Sequence, residues 1–275
     1  MKVGYHTWSF SSLSLEKALK HIRDAGFTEV EINANMAHLD PRICKRQELP
    51  QIRNLLKDLS LHPNSVHMPI DGADISTSNL EERRQAIKLL TDTLEYCRAI
   101  ECPIAVMHPS HFNSLYLGVE VMKKNSMEAL REIVPKAEDL GVKIALENMI
   151  EREKRRFGSR IYDLVKIIED IGSPYVGICL DTGHTNLLPD PNISLKDEII
   201  QAGEHLWTLH VHDNDGVEDR HWPPGDGSIN WSQVVTGLRK VNYQGVFMME
   251  VQERGNPDEL ASKCLQKATD ILNTY

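Results

Sequence analysis

At 275 residues, 41% hydrophobic and 26% charged, the chain has the make-up of an ordinary soluble globular protein, and its length suits one barrel. A net charge of −9 argues against nonspecific attraction to nucleic acid or an anionic membrane, and no apolar run is long enough to span a bilayer. The five cysteines (Cys44, Cys97, Cys102, Cys179, Cys264) lack CxxC spacing and read as reduced thiols; with the opening MKVGYHTWSF, which has no signal-peptide core, they point to the cytoplasm.

Strand-like and helix-like runs alternate from end to end. KVGYHTW is the first strand, and its helix LEKALKHIRDAG takes Ser14 or a neighbour as cap and Gly26 as stop. EVEINA is the second strand, with ELPQIRNLLKDLS as its helix after a longer loop. NSVHMP is the third; in its helix, LEERRQAIKLLTDTLEYCRAI, the residues Ile87, Leu90, Leu94 and Cys97 follow helical spacing. PIAVMHPS precedes a helix over Val119–Leu140 that ends at Gly141. VKIALEN and SRIYDLVKIIEDIG make the fifth unit, YVGICLDTGH and LKDEIIQAGEHL the sixth. WTLHVHD with WSQVVTGLRKV, then GVFMMEV with PDELASKCLQKATDILNTY, complete the set.

Runs such as VKIALE and YVGICLD are almost continuously apolar, as a parallel sheet covered on both faces requires. Eight strand–helix repeats without a linker or low-complexity tract predict an α/β protein, a single-domain (β/α)8 TIM barrel over residues 1–275. A doubly wound open sheet fits less well, because no Gly-rich phosphate fingerprint follows the first strand.

Barrel active sites lie at the C-terminal ends of the strands, and there the same chemistry recurs. The third strand ends at His67, the fourth at His108, the fifth at Glu147 and the sixth at Asp181, with His184 just beyond. The seventh ends at His210, in the run LHVHDND, with Asp219 and His221 in its loop; the eighth ends at Glu250. One rim histidine is commonly structural. Carboxylates crowded at one mouth repel each other unless cations hold them, so the whole set predicts a metal site. His6 and His111 fit either packing or substrate contact.

VHMP, MHPS, LEN, CLDTGH, LHVHDND, DRHWPPGDG and MEV, in this order, resemble the xylose-isomerase-like barrel superfamily over the whole chain. That superfamily holds sugar isomerases and epimerases, inosose-processing enzymes and the endonuclease IV repair enzymes. By likeness to the epimerase branch, Glu147, Asp181, His210 and Glu250 would hold one divalent ion, often manganese. Three carboxylates and one imidazole suit manganese, cobalt or magnesium, with zinc also admissible. Glu147 and Glu250 would then be the catalytic pair, exchanging a proton on either side of a cis-enediol. Glu153 and His184 fall at that branch's substrate-binding positions, and His6, Arg155 and Arg156 join them as substrate contacts. The branch's arginine after the strand-seven histidine falls here at Gly216, which argues against a free ketohexose of the tagatose-epimerase kind.

By likeness to endonuclease IV, His67, His108 and Glu147 would hold one zinc, with Glu147 bridging to a second on Asp181, His210 and Glu250. His184, Asp219 and His221 would hold a third, so the resemblance implies one to three ions. A DNA enzyme also needs a basic rim and side chains that enter the duplex. EINANMAHLDP lacks that family's arginine, and PIDGADISTSN is acidic without an aromatic wedge. The one basic cluster is Lys154, Arg155, Arg156 and Arg160, either a solvated face or a phosphate contact. The expectation is a divalent-metal-dependent isomerase or epimerase acting on a small sugar, polyol or sugar phosphate. An endonuclease IV-like phosphodiesterase for abasic sites and an inosose-type dehydratase follow, and assembly into a homo-oligomer is left open.

Overall fold

In the computed structural model, which describes residues 1–151, 154–252 and 255–275, eight parallel strands follow one another around a barrel. They are β1 (Lys2–His6), β2 (Glu29–Asn33), β3 (His62–His67), β4 (Ile104–Met107), β5 (Lys143–Glu147), β6 (Val176–Asp181), β7 (Leu206–His210) and β8 (Val246–Met249). Each pairs with its sequence neighbour, and β1 also pairs with β8. The ring closes through a parallel bridge between Val211 and Met249: Val211 N donates to Met248 O at 2.8 Å, and Glu250 N to Val211 O at 3.1 Å.

The long helices between strands are α1 (Leu15–Asp24), α2 (Leu49–Asp58), α3 (Leu80–Ala99), α4 (Val119–Leu140) and α5 (Ile161–Ile171). Local chemistry sets their ends. The Ser14 side chain accepts from Lys17 N at the start of α1, and Gly141, at φ 66°, closes α4 in the left-handed region that a side chain disfavours.

In the run YVGICLDTGH the strand ends at Asp181 as expected, but TGH beyond it is helical: the Asp181 carboxylate accepts from His184 N at 2.7 Å and starts the short helix α6 (Thr182–Asn186). Aspartate is a strong helix N-cap, and the apolar run before it hid that signal. Next come α7 (Leu195–Ala202), α8 (Trp231–Lys240) and α9 (Pro257–Thr274). In WTLHVHD the ladder likewise ends at His210.

Side-chain alternation then decides what the cavity contains. Leu146, Leu180 and Leu209 join the main core between sheet and helices, whereas Val106, Ala145 and Cys179 form a small cluster of their own. Successive strand residues point to opposite faces, so the residues two steps beyond that cluster, His108, Glu147 and Asp181, continue its inner face to the mouth. All five cysteines are buried and unpaired. Among the described residues no helix is long and apolar enough to cross a membrane.

Candidate metal centre

The mouth of the barrel holds a cavity of about 470 Å³ whose lining includes His6, His67, His108, Glu147, His184, Asp219, His221 and Glu250. At its floor the structure brings Glu147, Asp181, His210 and Glu250 together: one donor atom from each lies within 4.8 Å of all the others, and all four residues are buried. His210 Nδ1 stands between the two glutamates, 3.4 Å from Glu147 Oε2 and 3.3 Å from Glu250 Oε2. Glu147 Oε2 and His210 Nδ1 have no hydrogen-bond partner despite full burial. Buried polar atoms without partners are costly, and donor bonds of roughly 2.0–2.6 Å to one shared cation fit that spacing. The residues present therefore fit a divalent ion.

Further donor groups surround this one. His67 Nε2 and His108 Nε2 lie 3.3 and 3.2 Å from Glu147 Oε2, and the three form a second potential ligand set. A third joins His184, His212, Asp219 and His221. There the imidazoles of His212 and His221 stack with centroids 3.7 Å apart, and His221 Nε2 sits 3.0 Å from Asp219 Oδ2. His221 carries φ 45°, an uncommon conformation for a residue with a Cβ. Asp219 Oδ1 is another buried oxygen without a partner.

The imidazoles are oriented in a common way. Nδ1 of His67 donates to Met68 O at 2.9 Å, Nδ1 of His184 to Asn148 O at 2.8 Å, and Nδ1 of His221 to Glu250 O at 2.9 Å. A carbonyl only accepts, so each contact fixes the proton on Nδ1 and turns the Nε2 lone pair toward the cavity. His210 is reversed: its Nε2 lies 2.7 Å from Glu31 Oε1, which leaves Nδ1 facing Glu147 and Glu250. A second hydrogen bond that fixes the tautomer is what metal-ligating histidines generally show.

Without an ion the carboxylates are balanced by protons. Burial pushes the Glu147 carboxyl up, but His210, His108 and His184 outweigh it and hold it well below the usual range. Burial pushes His221 down, yet Asp219 carries it up to about 9, and His184 rises through Asp181 and Asp219 in the same way. The opposite holds where no carboxylate wins. Burial drives His6 well below its ordinary value and His108 to about 4.

Three supporting residues lie off the strand ends, of which the sequence had offered only His212, in the LHVHDND run. Glu31 lies inside β2, fully buried, with Oε1 on His210 and also 3.3 Å from His6 Nε2, and it accepts from the Ser65 hydroxyl. The alternation of EVEIN places it on the inner face; being two residues short of the strand end, it was passed over. His212 Nε2 meets both Asp181 oxygens at 3.0 Å. Asn148 brackets Asp181, accepting from its N at 2.6 Å and donating to its carbonyl at 3.2 Å. Gly183 also has a strict reason: a Cβ there would stand 1.9 Å from the His212 ring.

Other acidic residues of the LHVHDND stretch do structural work. Asp213 accepts from the N–H groups of Gly225 and Ile229 and from Trp231 Nε1, and Asp215 pairs with Arg220. The basic cluster disperses as well. Lys154 and Arg155 are exposed, with Arg155 on Asp163 at 2.8 Å, and Arg160 is tied to Glu151 at 3.1 Å; Arg156 alone of the four lines the cavity. Glu153 lies outside the described residues. Gly216 stands at φ 76° in the loop after β7.

Residues 19–269 match the family described as Xylose isomerase-like TIM barrel. The solved structure of a D-tagatose 3-epimerase-like protein superposes with a TM-score of 0.84 at 26% identity, over 100% of this chain and 99% of that one. A D-psicose 3-epimerase of Enterocloster bolteae is 25% identical over 86% of this chain and 76% of its own length. An inosose isomerase of Halalkalibacterium halodurans is 24% identical over 91% of this chain and 88% of its own.

Proposed function

The chain belongs to the xylose isomerase-like TIM barrel family, and on that premise we propose that it is a divalent-metal-dependent isomerase or epimerase of a small sugar, polyol or sugar phosphate. The observation that carries this reading is the convergence of Glu147 and Glu250 on one buried point with Asp181 and His210. These four would hold the ion, manganese, cobalt or magnesium by the chemistry of the donor set, with zinc also admissible. When bound, such an ion polarises the oxygens of a carbonyl and its neighbouring hydroxyl.

The remaining work belongs to the chain's own groups. One of the two glutamates takes the proton from the carbon beside the carbonyl, giving an enediol, and the other returns a proton to the opposite face or to the neighbouring carbon. His6 and His184 border the cavity and would contact the sugar; Glu153 is proposed for the same task from the sequence alone. The apolar and aromatic part of the lining, including Trp8, Met36 and Phe112, would exclude water from the enediol. The relatives named as sugar 3-epimerases and as an inosose isomerase support this class of reaction. Five buried, unpaired cysteines support a reducing compartment such as the cytoplasm.

The test is a panel of ketoses, aldoses and their phosphates incubated with protein loaded with manganese and with protein stripped by a chelator. Turnover of one of them by the loaded protein alone is expected; a panel left untouched by every loaded form would sink the reading. A second reading rests on two of the further ligand sets, His67–His108–Glu147 and His184–His212–Asp219–His221, which suit a multinuclear phosphodiesterase. Nicking of an abasic-site duplex by zinc-loaded protein would promote it.

A further inference from the structure

Next to the carboxylate cluster the cavity carries a buried cation with no counter-charge in contact. Arg156 is 8% exposed and lines the cavity with His108 and His111. Its Nε donates to Ser110 Oγ at 3.2 Å and its Nη2 to Ser110 O, both uncharged acceptors, and Nη1 has no acceptor among the described residues. Its neighbours in sequence, Arg155 and Arg160, each hold a carboxylate, while Arg156 holds none. Two carboxylates act on it without forming an ion pair, and both are committed elsewhere: Glu147 to the cluster at the floor, and Asp74, whose Oδ1 accepts from Ser76 N and Oγ and whose Oδ2 accepts from Ser114 Oγ. A strap between two loops would account for the Ser110 contacts. It does not account for a desolvated charge left open on the cavity side, which is costly unless something pairs with it.

His111 supplies the second observation. It is 6% exposed, and its Nδ1 accepts from Asn113 N at 3.2 Å, capping the short 3-10 helix that begins at Phe112. A neutral imidazole that accepts at Nδ1 carries its proton on Nε2. That Nε2 is buried and has no partner. Burial holds the His111 imidazole neutral, with Arg156 adding to the effect against Asp74. The ring is therefore a fixed donor beside a guanidinium. His108 links this corner to the reacting end of the cavity, since its Nε2 is 3.2 Å from Glu147.

We propose that Arg156 Nη1 and His111 Nε2–H form a subsite for an anionic substituent, a phosphate or carboxylate, carried by the substrate away from its reacting carbons. The inference rests on reading the cavity as an isomerase or epimerase site, and it narrows the substrate to an anionic sugar. A forked guanidinium and a neutral N–H donor suit the oxygens of either anion.

The first measurement is calorimetric titration of inorganic phosphate into metal-stripped full-length protein, so that no ion competes for the anion. Binding is expected, weakened about tenfold or more in Arg156→Gln and in His111→Asn, the factor one charge-assisted hydrogen bond carries. Asparagine at 111 keeps an acceptor for Asn113 N, so that variant tests the donor without removing the cap. The second measurement compares D-fructose, D-fructose 6-phosphate and D-fructuronate with metal-loaded protein. The two variants should raise KM for an anionic sugar about tenfold more than for D-fructose, and the anion with the lower wild-type KM identifies phosphate or carboxylate. Phosphate that fails to bind, or binds wild type and both variants alike, overturns the subsite even if D-fructose is epimerised. Phosphate binding lost in both variants, with no sugar turned over, leaves the subsite standing and removes the epimerase.

Discussion

Two groups of histidines share one cavity and carry opposite electrical states. On the side of β6 and β7, His184 and His221 face Asp181 and Asp219 and are held above their ordinary values. On the side of β1 and β4, His6, His108 and His111 are held below theirs by burial, and Arg156 contributes at His108 and His111. The same side chain is a proton store on one side and a neutral donor or acceptor on the other. The difference is which contribution wins: Asp181 and Asp219 outweigh burial on the first side, whereas burial outweighs Glu31 at His6 and Glu147 at His108 on the second. On the proposed reading the acidic side would hold a cation, and His6 on the other side would meet the substrate.

The sharpest way to break this division is to neutralise the acidic side. Glu250→Gln or Glu147→Gln should lower kcat by roughly 10²–10⁴, the range for removing a general acid or base, and release bound metal. Metal content by mass spectrometry and turnover of the panel sugar are the readouts; a variant keeping both would remove its glutamate from the centre.

Next in size is Glu31, which belongs to neither group but steers His210. Glu31→Gln should weaken ion binding by about 10–100-fold, the cost generally found when a partner that orients a metal-bound histidine is lost. Unchanged affinity in a competition titration with a fluorescent chelator would mean that His210 is oriented without it. A smaller effect is expected from Gly183→Ala, whose Cβ would meet the His212 ring at 1.9 Å. The ring must shift, which typically costs about 1–3 kcal/mol, visible in urea unfolding of the stripped protein. No loss of stability would show that the His212–His221 stack gives way freely.

The mildest test is pH. In stripped protein His221 titrates near 9 when folded, against an ordinary 6.5 when unfolded. Its protonation therefore stabilises the fold fully below about pH 6.5, and that contribution fades as pH rises through about 9. The melting temperature of stripped protein should fall across this window. An added ion that takes the place of the protons should flatten the fall and release protons on binding, measurable by calorimetry in buffers of different ionisation enthalpy. A stripped protein with a flat profile between pH 6.5 and 9 would show that the acidic side is not a proton store.

Much of this molecule was legible in the chain because the signals are local. Alternating runs of apolar and helical periodicity mark the eight units, glycines and Ser14 mark helix ends, and following each strand to its end finds Glu147, Asp181, His210 and Glu250 at one mouth. What packing alone decided are contacts between residues far apart in sequence. Glu31 meets His210 across 179 positions, and the choice of Nδ1 or Nε2 as the open nitrogen depends on which carbonyl lies behind each ring. Among four adjacent cations, the carboxylates of Asp163 and Glu151 claimed two and left Arg156 to the cavity. A sequence lists which groups can bond, but burial and distance choose between equivalent partners, and both exist only once the barrel has closed.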